Sequence, residues 1–206
     1  MEIVTVPLGP LKANGYLLIE GGDVVVVDPG GEGEDLAAAL KERGWTLKAI
    51  WLTHAHFDHV GGVAGLLRAA GSVPVHMHPA DEQLLRHAAQ SAARWNIEIE
   101  APPTDFVALG HGETLVSGAV SARVLHTPGH APGHVAFYLE DAATVLSGDA
   151  LFKGSIGRTD LPYGDHEQLL ESIRRELLSL PAETRVLPGH GEPTTVAAES
   201  ASNPFL

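Results

Sequence analysis

The sequence predicts an α+β protein with two β-sheets and helices outside them. Short apolar strands alternate with helical segments over residues 1–95, which indicates a first sheet and its helices. Residues 106–146 have mostly strand character, and the chain then returns to amphipathic helical segments. This order of elements is typical of two sheets flanked by helices.

The elements of the first half are bounded by clear turn signals. The run Val24–Val27 is apolar without alternation, which predicts a strand covered on both faces. It ends at the turn sequence DPGG, and Gly44 ends the helix that follows. Strands are predicted at Ile3–Val6, Tyr16–Ile19, Val24–Val27, Lys48–Leu52 and Val73–His78, and helices at Glu34–Arg43, Gly62–Ala70 and Ala80–Trp95.

The second half is predicted to contain further strands and two helices. Residues 101–105 are rich in proline and are expected to form a loop. The predicted strands are Phe106–Leu109, Thr114–Val116, Ala122–His126, His134–Leu139, Thr144–Leu146 and Arg185–Leu187, and the predicted helices are His166–Leu178 and Thr194–Ser200.

The composition argues against several classes of protein. Of the 206 residues, 26 are acidic and 13 basic, which gives a formal net charge of −13. A general nucleic-acid binder needs clustered Lys and Arg, so no nucleic-acid partner is expected. No apolar run approaches the ~20 residues that cross a bilayer, and no signal peptide is evident, so no membrane partner is expected. The absence of cysteine removes disulfides and thiolate metal ligands, and it fits a cytoplasmic location.

The segment THAHFDHVGG, from Thr53 to Gly62, concentrates titratable side chains after an apolar strand. His54 and His56 are two residues apart, so an extended backbone places both imidazoles on one side. Asp58 and His59 follow within a short loop. Neutral imidazole and carboxylate are suitable ligands for zinc, iron or manganese. The segment therefore predicts ligands for two neighbouring metal ions.

Three more strand-end turns carry candidate ligands beside glycine. His130 lies in TPGH, Asp149 in SGD and His190 in PGHG, and each motif follows a predicted strand. Loops at strand ends are where rigid scaffolds usually build their sites.

Together, the motifs HAHFDH, TPGHAPGH, SGD and PGHG resemble those of the metallo-β-lactamase superfamily, in its order and spacing. The resemblance implies a four-layer αββα sandwich, formed as a single domain over residues 1–206, with a dinuclear site at one edge of the two sheets. It also implies two divalent metal ions, with zinc expected first and iron or manganese as alternatives. The implied ligands are His54, His56 and His130 for the first ion, Asp58, His59 and His190 for the second, and Asp149 as the bridge.

Within this superfamily the chain is most similar to short bacterial relatives of glyoxalase II, in the stretch LFKGSIGRTD and the C-terminal NPFL. It departs from full-length glyoxalase II in lacking the C-terminal helical domain that helps to bind glutathione. The stretch Gly157-Arg158-Thr159 also replaces the Lys and Tyr that bind glutathione there. The run GRTD occurs in persulfide dioxygenases, so an iron-dependent sulfur dioxygenase is an alternative, as is the hydrolysis of another ester. Antibiotic hydrolysis is not expected, because some true β-lactamases have a cysteine ligand at the position of Asp149 and others lack the bridging aspartate.

The resemblance implies hydrolysis of a small-molecule thioester such as S-lactoylglutathione. The two metal ions would share a bridging hydroxide, because coordination lowers the pKa of water to ~7. Asp58 would orient this hydroxide toward the thioester carbonyl as the catalytic carboxylate. No separate catalytic acid is needed, since a thiol with a pKa of ~8.5 leaves readily as thiolate.

Three residues that follow Asp149 are predicted to bind substrate: Lys153, Arg158 and Tyr163. Arg158 is the first choice, because a guanidinium pairs with a carboxylate through two hydrogen bonds. The alternative for Arg158 is a structural ion pair with Asp160 or Asp165.

The remaining titratable residues near the motifs are given supporting roles. Asp28 is expected to hold the loop beneath the site through backbone hydrogen bonds. His126 and His134 flank the His130 segment and are candidates for supporting the ligands. His76 and His78 also have H-x-H spacing, but no carboxylate and no second segment supplies further ligands beside them. They are therefore interpreted as ordinary strand-end residues.

Overall fold

Six strands form the first sheet. They are β1 (Glu2–Leu8), β2 (Ala13–Glu20), β3 (Asp23–Val27), β4 (Thr46–Trp51), β5 (Val75–Met77) and β6 (Val107–Ala108). The strands lie in sequence order across the sheet. The pairs β1–β2 and β2–β3 are antiparallel, whereas β3–β4, β4–β5 and β5–β6 are parallel. The sheet is therefore mixed, and residues 24–27 of β3 are fully buried, as their apolar run predicts.

Helices connect the parallel strands, as parallel pairing requires. They are α1 (Gly33–Glu42), α2 (Phe57–Val60), α3 (Val63–Ala70), α4 (Glu82–Arg86) and α5 (Ala88–Ala93). The prediction of one helix over Ala80–Trp95 is wrong, because a 3₁₀ turn (Pro79–Asp81) precedes α4 and the chain breaks at His87. The His87 imidazole bonds to the Gln83 carbonyl at 2.8 Å, and this side-chain bond shares an acceptor with the helix backbone.

The second sheet contains six strands, and a separate two-stranded hairpin follows its fourth strand in the chain. The six are β7 (Thr114–Ser117), β8 (Val120–His126), β9 (Val135–Leu139), β10 (Thr144–Gly148), β13 (Arg185–Pro188) and β14 (Thr194–Thr195), and the hairpin consists of β11 (Leu151–Phe152) and β12 (Ser155–Ile156). The order across the sheet is β14-β13-β10-β9-β8-β7. The β10–β13 pair is parallel, whereas β8–β9, β9–β10 and β13–β14 are antiparallel. This sheet is also mixed.

Two helical segments complete the chain. The predicted helix His166–Leu178 begins as α6 (His166–Ser172) and continues as a π-helical turn (Ile173–Leu177). Leu169, Ile173 and Leu177, at four-residue spacing, are all fully buried. The last helix, α7 (Val196–Ser202), starts after Thr195, whose hydroxyl accepts a hydrogen bond from the Ala198 amide.

The structure, a computed structural model, describes all 206 residues and divides into two compact units. The first comprises Met1–Ala108 with Val116–Val120, and the second comprises Leu109–Leu115 with Ser121–Leu206. Each has its own apolar core cluster. The predicted α+β class, with two mixed sheets flanked by helices, is confirmed. None of the helices has the length and apolar character that crossing a membrane requires.

Candidate metal centre

The predicted ligand segments of the first unit follow neighbouring parallel strands. Asp28 comes directly after β3, and the segment from Thr53 to His59 comes shortly after β4. Because β3 and β4 are parallel, their carboxyl ends lie at the same edge of the first sheet. The pairing of these two strands brings the Asp28 side chain into hydrogen-bond contact with Thr53 and His59.

Four candidate ligands, His54, His56, Asp58 and His59, form the first group. The ring centroids of His54 and His56 are 4.7 Å apart, and those of His54 and His59 are 4.1 Å apart. His59 Nε2 lies 3.9 Å from a carboxylate oxygen of Asp58. His56 is extended and starts α2, so that the short helix turns Asp58 and His59 back toward His54. The sequence motif thus produces one cluster of imidazole and carboxylate groups.

Asp28 determines which nitrogen of two histidines carries the proton. Its carboxylate accepts from the Thr53 amide at 2.7 Å and from the Thr53 hydroxyl at 2.6 Å, and it lies 3.0 Å from His59 Nδ1. His59 therefore donates from Nδ1. Because the Thr53 hydroxyl donates to Asp28, its oxygen accepts from His54 Nδ1, 3.0 Å away. Both histidines then present an Nε2 lone pair, the form that binds metal.

Asp28 also bonds to the backbone of the loop, as predicted. Ligand atoms of Asp28, His54 and His59 lie within 4.8 Å of one another, so distance alone would admit Asp28 as a metal ligand. Its carboxylate oxygens are, however, engaged by Thr53 and His59. The hydrogen-bond pattern favours a role for Asp28 in orienting the candidate ligands His54 and His59.

Asp81 is a buried carboxylate that the sequence interpretation missed. Its side chain is fully buried and accepts a hydrogen bond from the Ala55 amide at 3.0 Å. Ala55 separates His54 from His56, so this bond holds the backbone between two candidate ligands. Asp81 lies just beyond β5, which runs parallel to β4. The strand-end position that identified the ligands would have identified Asp81 as well.

His130, Asp149 and His190 form the second group, in the second unit. They follow β8, β10 and β13, and these three strands run in the same direction. Strands β8 and β10 both pair antiparallel with β9, and β13 pairs parallel with β10. One Asp149 oxygen lies 3.6 Å from His130 Nε2 and 3.7 Å from His190 Nε2. These separations are too long for hydrogen bonds. Two ligand atoms that share a tetrahedral ion, each at about 2.1 Å from it, lie about 3.4 Å apart, so the spacing fits metal coordination.

His130 presents the same tautomer as His54 and His59. Its Nδ1 lies 2.8 Å from the backbone carbonyl of Arg158, to which it donates, so Nε2 carries the lone pair. A hydrogen bond of this kind fixes the ring orientation of a metal-binding histidine and raises its basicity.

Helix α6 holds the turn that carries His130. The Asp165 amide donates to the Gly129 carbonyl at 2.7 Å, and the Ser172 hydroxyl donates to the Pro128 carbonyl at 2.8 Å. Gly129 has φ 132°, and a Cβ there would lie 2.3 Å from the Leu169 amide nitrogen. Glycine is therefore required for the turn to approach the helix this closely.

His134 supports Asp149, in agreement with the prediction of a supporting role. The Asp149 amide donates to His134 Nε2 at 3.0 Å, and His134 Nδ1 donates to the Thr127 hydroxyl at 2.7 Å. His126 lies farther out and bonds to the Pro132 carbonyl at 3.0 Å. Desolvation by burial lowers its pKa, so His126 is neutral near pH 7 and supports the loop between His130 and His134.

The predicted substrate-binding cations form ion pairs on the segment after Asp149. The Arg158 guanidinium makes two 2.7 Å bonds to the carboxylate of Asp160, which is one of the ion pairs considered from the sequence. Lys153 Nζ lies 2.6 Å from a Glu192 oxygen. Tyr163 is 64% exposed and has the left-handed φ of 71°, which is uncommon for an aromatic residue. All three side chains are largely exposed, so their role in binding substrate stays a prediction.

Three further histidines make local hydrogen-bond contacts away from the two groups. His78 caps the 3₁₀ turn after β5 by accepting from the Ala80 amide at 3.3 Å, and His87 bonds within its own helix pair. His166 Nδ1 lies 3.5 Å from the Thr159 hydroxyl.

Curated relatives cover the whole length of the chain. It is 45% identical to a probable metallo-hydrolase, YqgX, from Bacillus subtilis strain 168 over 202 residues, which are 97% of this chain and 95% of that protein. It is 36% identical to the hydroxyacylglutathione hydrolase GloC of Haemophilus influenzae over 208 residues, which are 100% of this chain and 98% of that protein.

Solved structures have the same fold. The di-iron-bound form of TTHA1623 superposes with a TM-score of 0.92 at 49% identity and covers 98% of this chain and 100% of its own. The BLEG-1 B3 metallo-β-lactamase structure superposes with a TM-score of 0.91 at 42% identity, and the match covers 100% of this chain and 99% of that chain. The family model described as metallo-beta-lactamase superfamily matches residues 8–190, the range that contains every candidate ligand. The chain belongs to the metallo-β-lactamase superfamily.

Proposed function

We propose that this metallo-hydrolase cleaves a small-molecule thioester such as S-lactoylglutathione. Its likeness to GloC, at 36% identity over essentially the full length of both chains, supports this substrate class. In this proposal the nucleophile is a water molecule that the bound ions would activate.

We propose further that the chain binds two divalent metal ions through the ligand set that the family resemblance implies. The observation that carries this proposal is the hydrogen bond at Nδ1 of His54, His59 and His130, which leaves each ring with its Nε2 lone pair. Imidazole and carboxylate ligands suit zinc, iron and manganese alike. The di-iron form of TTHA1623 makes iron the first alternative to zinc.

Asp58 is proposed as the carboxylate that orients the attacking water. The bound ions would supply Lewis acidity, which activates water and polarises the thioester carbonyl. Asp58 is only partly buried, and one of its oxygens lies 3.9 Å from His59 Nε2, so its carboxylate is close to the cluster and can accept a hydrogen bond from water. No side chain has to protonate the leaving thiolate.

Lys153, Arg158 and Tyr163 are proposed to bind the anionic part of the substrate. The chain carries a net charge of −13, so an anionic substrate needs local cations. In the structure the Arg158 guanidinium donates two hydrogen bonds to the carboxylate of Asp160. A substrate carboxylate could replace that partner at little cost, because exposed ion pairs contribute little stability.

The test is the initial rate of S-lactoylglutathione hydrolysis by metal-replete protein, compared with His56→Ala and with a matched control, His87→Ala. His87 is exposed and lies outside both groups. We expect His56→Ala to lose at least about 100-fold in rate and part of its metal, because a ligand is removed, whereas His87→Ala keeps both. Equal rates for the wild type and His56→Ala would reject the proposal. Oxygen consumption with glutathione persulfide would then test the sulfur dioxygenase alternative.

β-Lactam hydrolysis is a second candidate because of the likeness to BLEG-1 at 42% identity. The same three proteins can be assayed with a chromogenic cephalosporin. A wild-type rate that exceeds the thioester rate and disappears in His56→Ala would favour this second activity.

A further inference from the structure

A buried carboxylate near the C-terminus binds three neutral donors. Glu199, on α7, is 3% exposed. One of its oxygens accepts from the Gly154 amide at 2.9 Å and from Asn203 Nδ2 at 2.8 Å, and the other accepts from the Thr194 hydroxyl at 2.6 Å. Burial of a carboxylate is costly unless hydrogen bonds compensate it, so this arrangement needs all of its donors in place.

Asn203 extends the same network to the hairpin. Its side-chain amide donates to Glu199 and also to the Ser155 carbonyl at 3.0 Å, while its Oδ1 accepts from the Phe205 amide at 3.1 Å. The Asn203 side chain is itself nearly buried. Glu199 therefore contacts Gly154, in the turn between β11 and β12, and Asn203 contacts Ser155, the first residue of β12.

The β11–β12 hairpin connects the second group to the predicted substrate-binding residues. It begins two residues after Asp149 and ends just before Gly157 and Arg158. The Phe152 ring packs edge-on against the His190 ring, with centroids 6.4 Å apart. Lys153 lies at the turn, where its neighbour Gly154 has φ 67°. Each strand of the hairpin has only two residues, too few to hold this geometry without outside contacts.

We propose that Glu199 and Asn203 are positioning residues that anchor the β11–β12 hairpin, so that Lys153 is placed to bind an anionic group of the substrate. The part about substrate rests on the proposed function. The part about the anchor rests only on the contacts of Glu199 and Asn203 with Gly154 and Ser155. Neither residue touches the substrate in this proposal.

The test compares Glu199→Ala, Glu199→Gln and Asn203→Ala with a matched control, Ser202→Ala. Ser202 lies on the same helix, but its hydroxyl bonds only to the Ala198 carbonyl. Glutamine can keep the network, because its oxygen can accept from Gly154 and Asn203 while its amide donates to a rotated Thr194 hydroxyl. Alanine at position 199 leaves three donors without that acceptor.

Hydrogen exchange of residues 151–156 is the first readout. We expect exchange to be about tenfold faster or more in Glu199→Ala and Asn203→Ala, near the wild-type rate in Glu199→Gln, and unchanged in Ser202→Ala. Thermal unfolding identifies a variant that fails to fold, and Asn203→Ala, which leaves the carboxylate in place, is the milder of the two. Unchanged exchange at 151–156 in both alanine variants overturns the anchor.

Steady-state kinetics on the metal-replete variants is the second readout. We expect KM for S-lactoylglutathione to rise about tenfold in Glu199→Ala with kcat within about threefold of wild type and metal content unchanged. A fall in kcat with unchanged KM overturns the placement of Lys153. A wild type inactive on the thioester rejects the proposed function and the placement of Lys153 with it, while hydrogen exchange still decides whether the anchor exists.

Discussion

Replacing Asp28 with asparagine should change the proton positions of two candidate metal ligands without changing the backbone. Asn tolerates the left-handed φ of 49° that Asp28 adopts. If the amide oxygen keeps the bond to the Thr53 backbone, the amide nitrogen faces the Thr53 hydroxyl and His59 Nδ1. Both of those atoms are donors in the wild type, so His59 must move its proton to Nε2. The Thr53 hydroxyl then turns to donate to His54, whose proton moves to Nε2 as well.

The opposite orientation of the asparagine is no better. The amide oxygen would then accept from His59, but the nitrogen would face the Thr53 amide, which loses its 2.7 Å bond. A buried donor left without an acceptor costs about 1–3 kcal/mol. Removal of a hydrogen-bond partner that orients a metal ligand weakens metal binding about 10- to 100-fold, or about 1.4–2.8 kcal/mol. We expect Asp28→Asn to lose metal affinity within this range.

Competition with a chromophoric chelator measures the metal affinity, and ¹⁵N NMR of the imidazoles measures the tautomers. The matched control is Asp23→Asn, at the other end of β3, where the carboxylate accepts from the Ala119 amide and pairs with Lys48. We expect wild-type metal affinity in that control. The reasoning is refuted if Asp28→Asn binds metal as tightly as Asp23→Asn. A proton that stays on His59 Nδ1 identifies the opposite orientation of the asparagine, in which the Thr53 amide loses its acceptor.

Other predictions concern the segment after Asp149. Gly157→Ala should lower the unfolding temperature by about 5 °C or more and reduce metal content, because a Cβ would lie 1.8 Å from the Asp149 carbonyl oxygen. The control for calorimetry is Gly65→Ala, where the atom nearest to the added Cβ is 3.5 Å away. Arg158→Ala should raise KM for the thioester about tenfold with little effect on metal content, and loss of metal would count against a substrate-binding role. In the wild type the Arg158 hydrogen bond lowers the pKa of Asp160 from 3.8 to about 2. A carboxyl group whose pKa is lowered in this way stabilises the folded state above pH 3.8, and this contribution is lost as the pH falls toward 2. In Arg158→Ala, ¹³C NMR should show Asp160 titrating near 3.8. Titration that stays near 2 would contradict the attribution of the lowered pKa to Arg158.

Short sequence patterns of a few residues were sufficient to predict the fold class and the segments that carry the candidate ligands. The run Val24–Val27 predicted a fully buried strand because no polar residue interrupts it. The motifs at His54, His130 and His190 follow strands, and the structure places them at strand ends. The break at His87 was not predicted, since the helical composition continues through it, and the bond from its ring to the Gln83 carbonyl is visible only in the structure. The hairpin at 151–156 was also missed, because strands of two residues have no periodicity.

Sequence alone determined which chemical groups the chain can offer to a metal and at which strand ends they lie. It did not determine which nitrogen of each imidazole would be available. That depends on partners distant along the chain: Asp28 is 31 residues from His59, and the Arg158 carbonyl is 28 residues from His130. Only the pairing of strands and the packing of loops bring such groups within hydrogen-bonding distance. The tertiary structure therefore decided the tautomers of the histidines, because a tautomer is fixed by its hydrogen-bond partner and not by its neighbours in sequence.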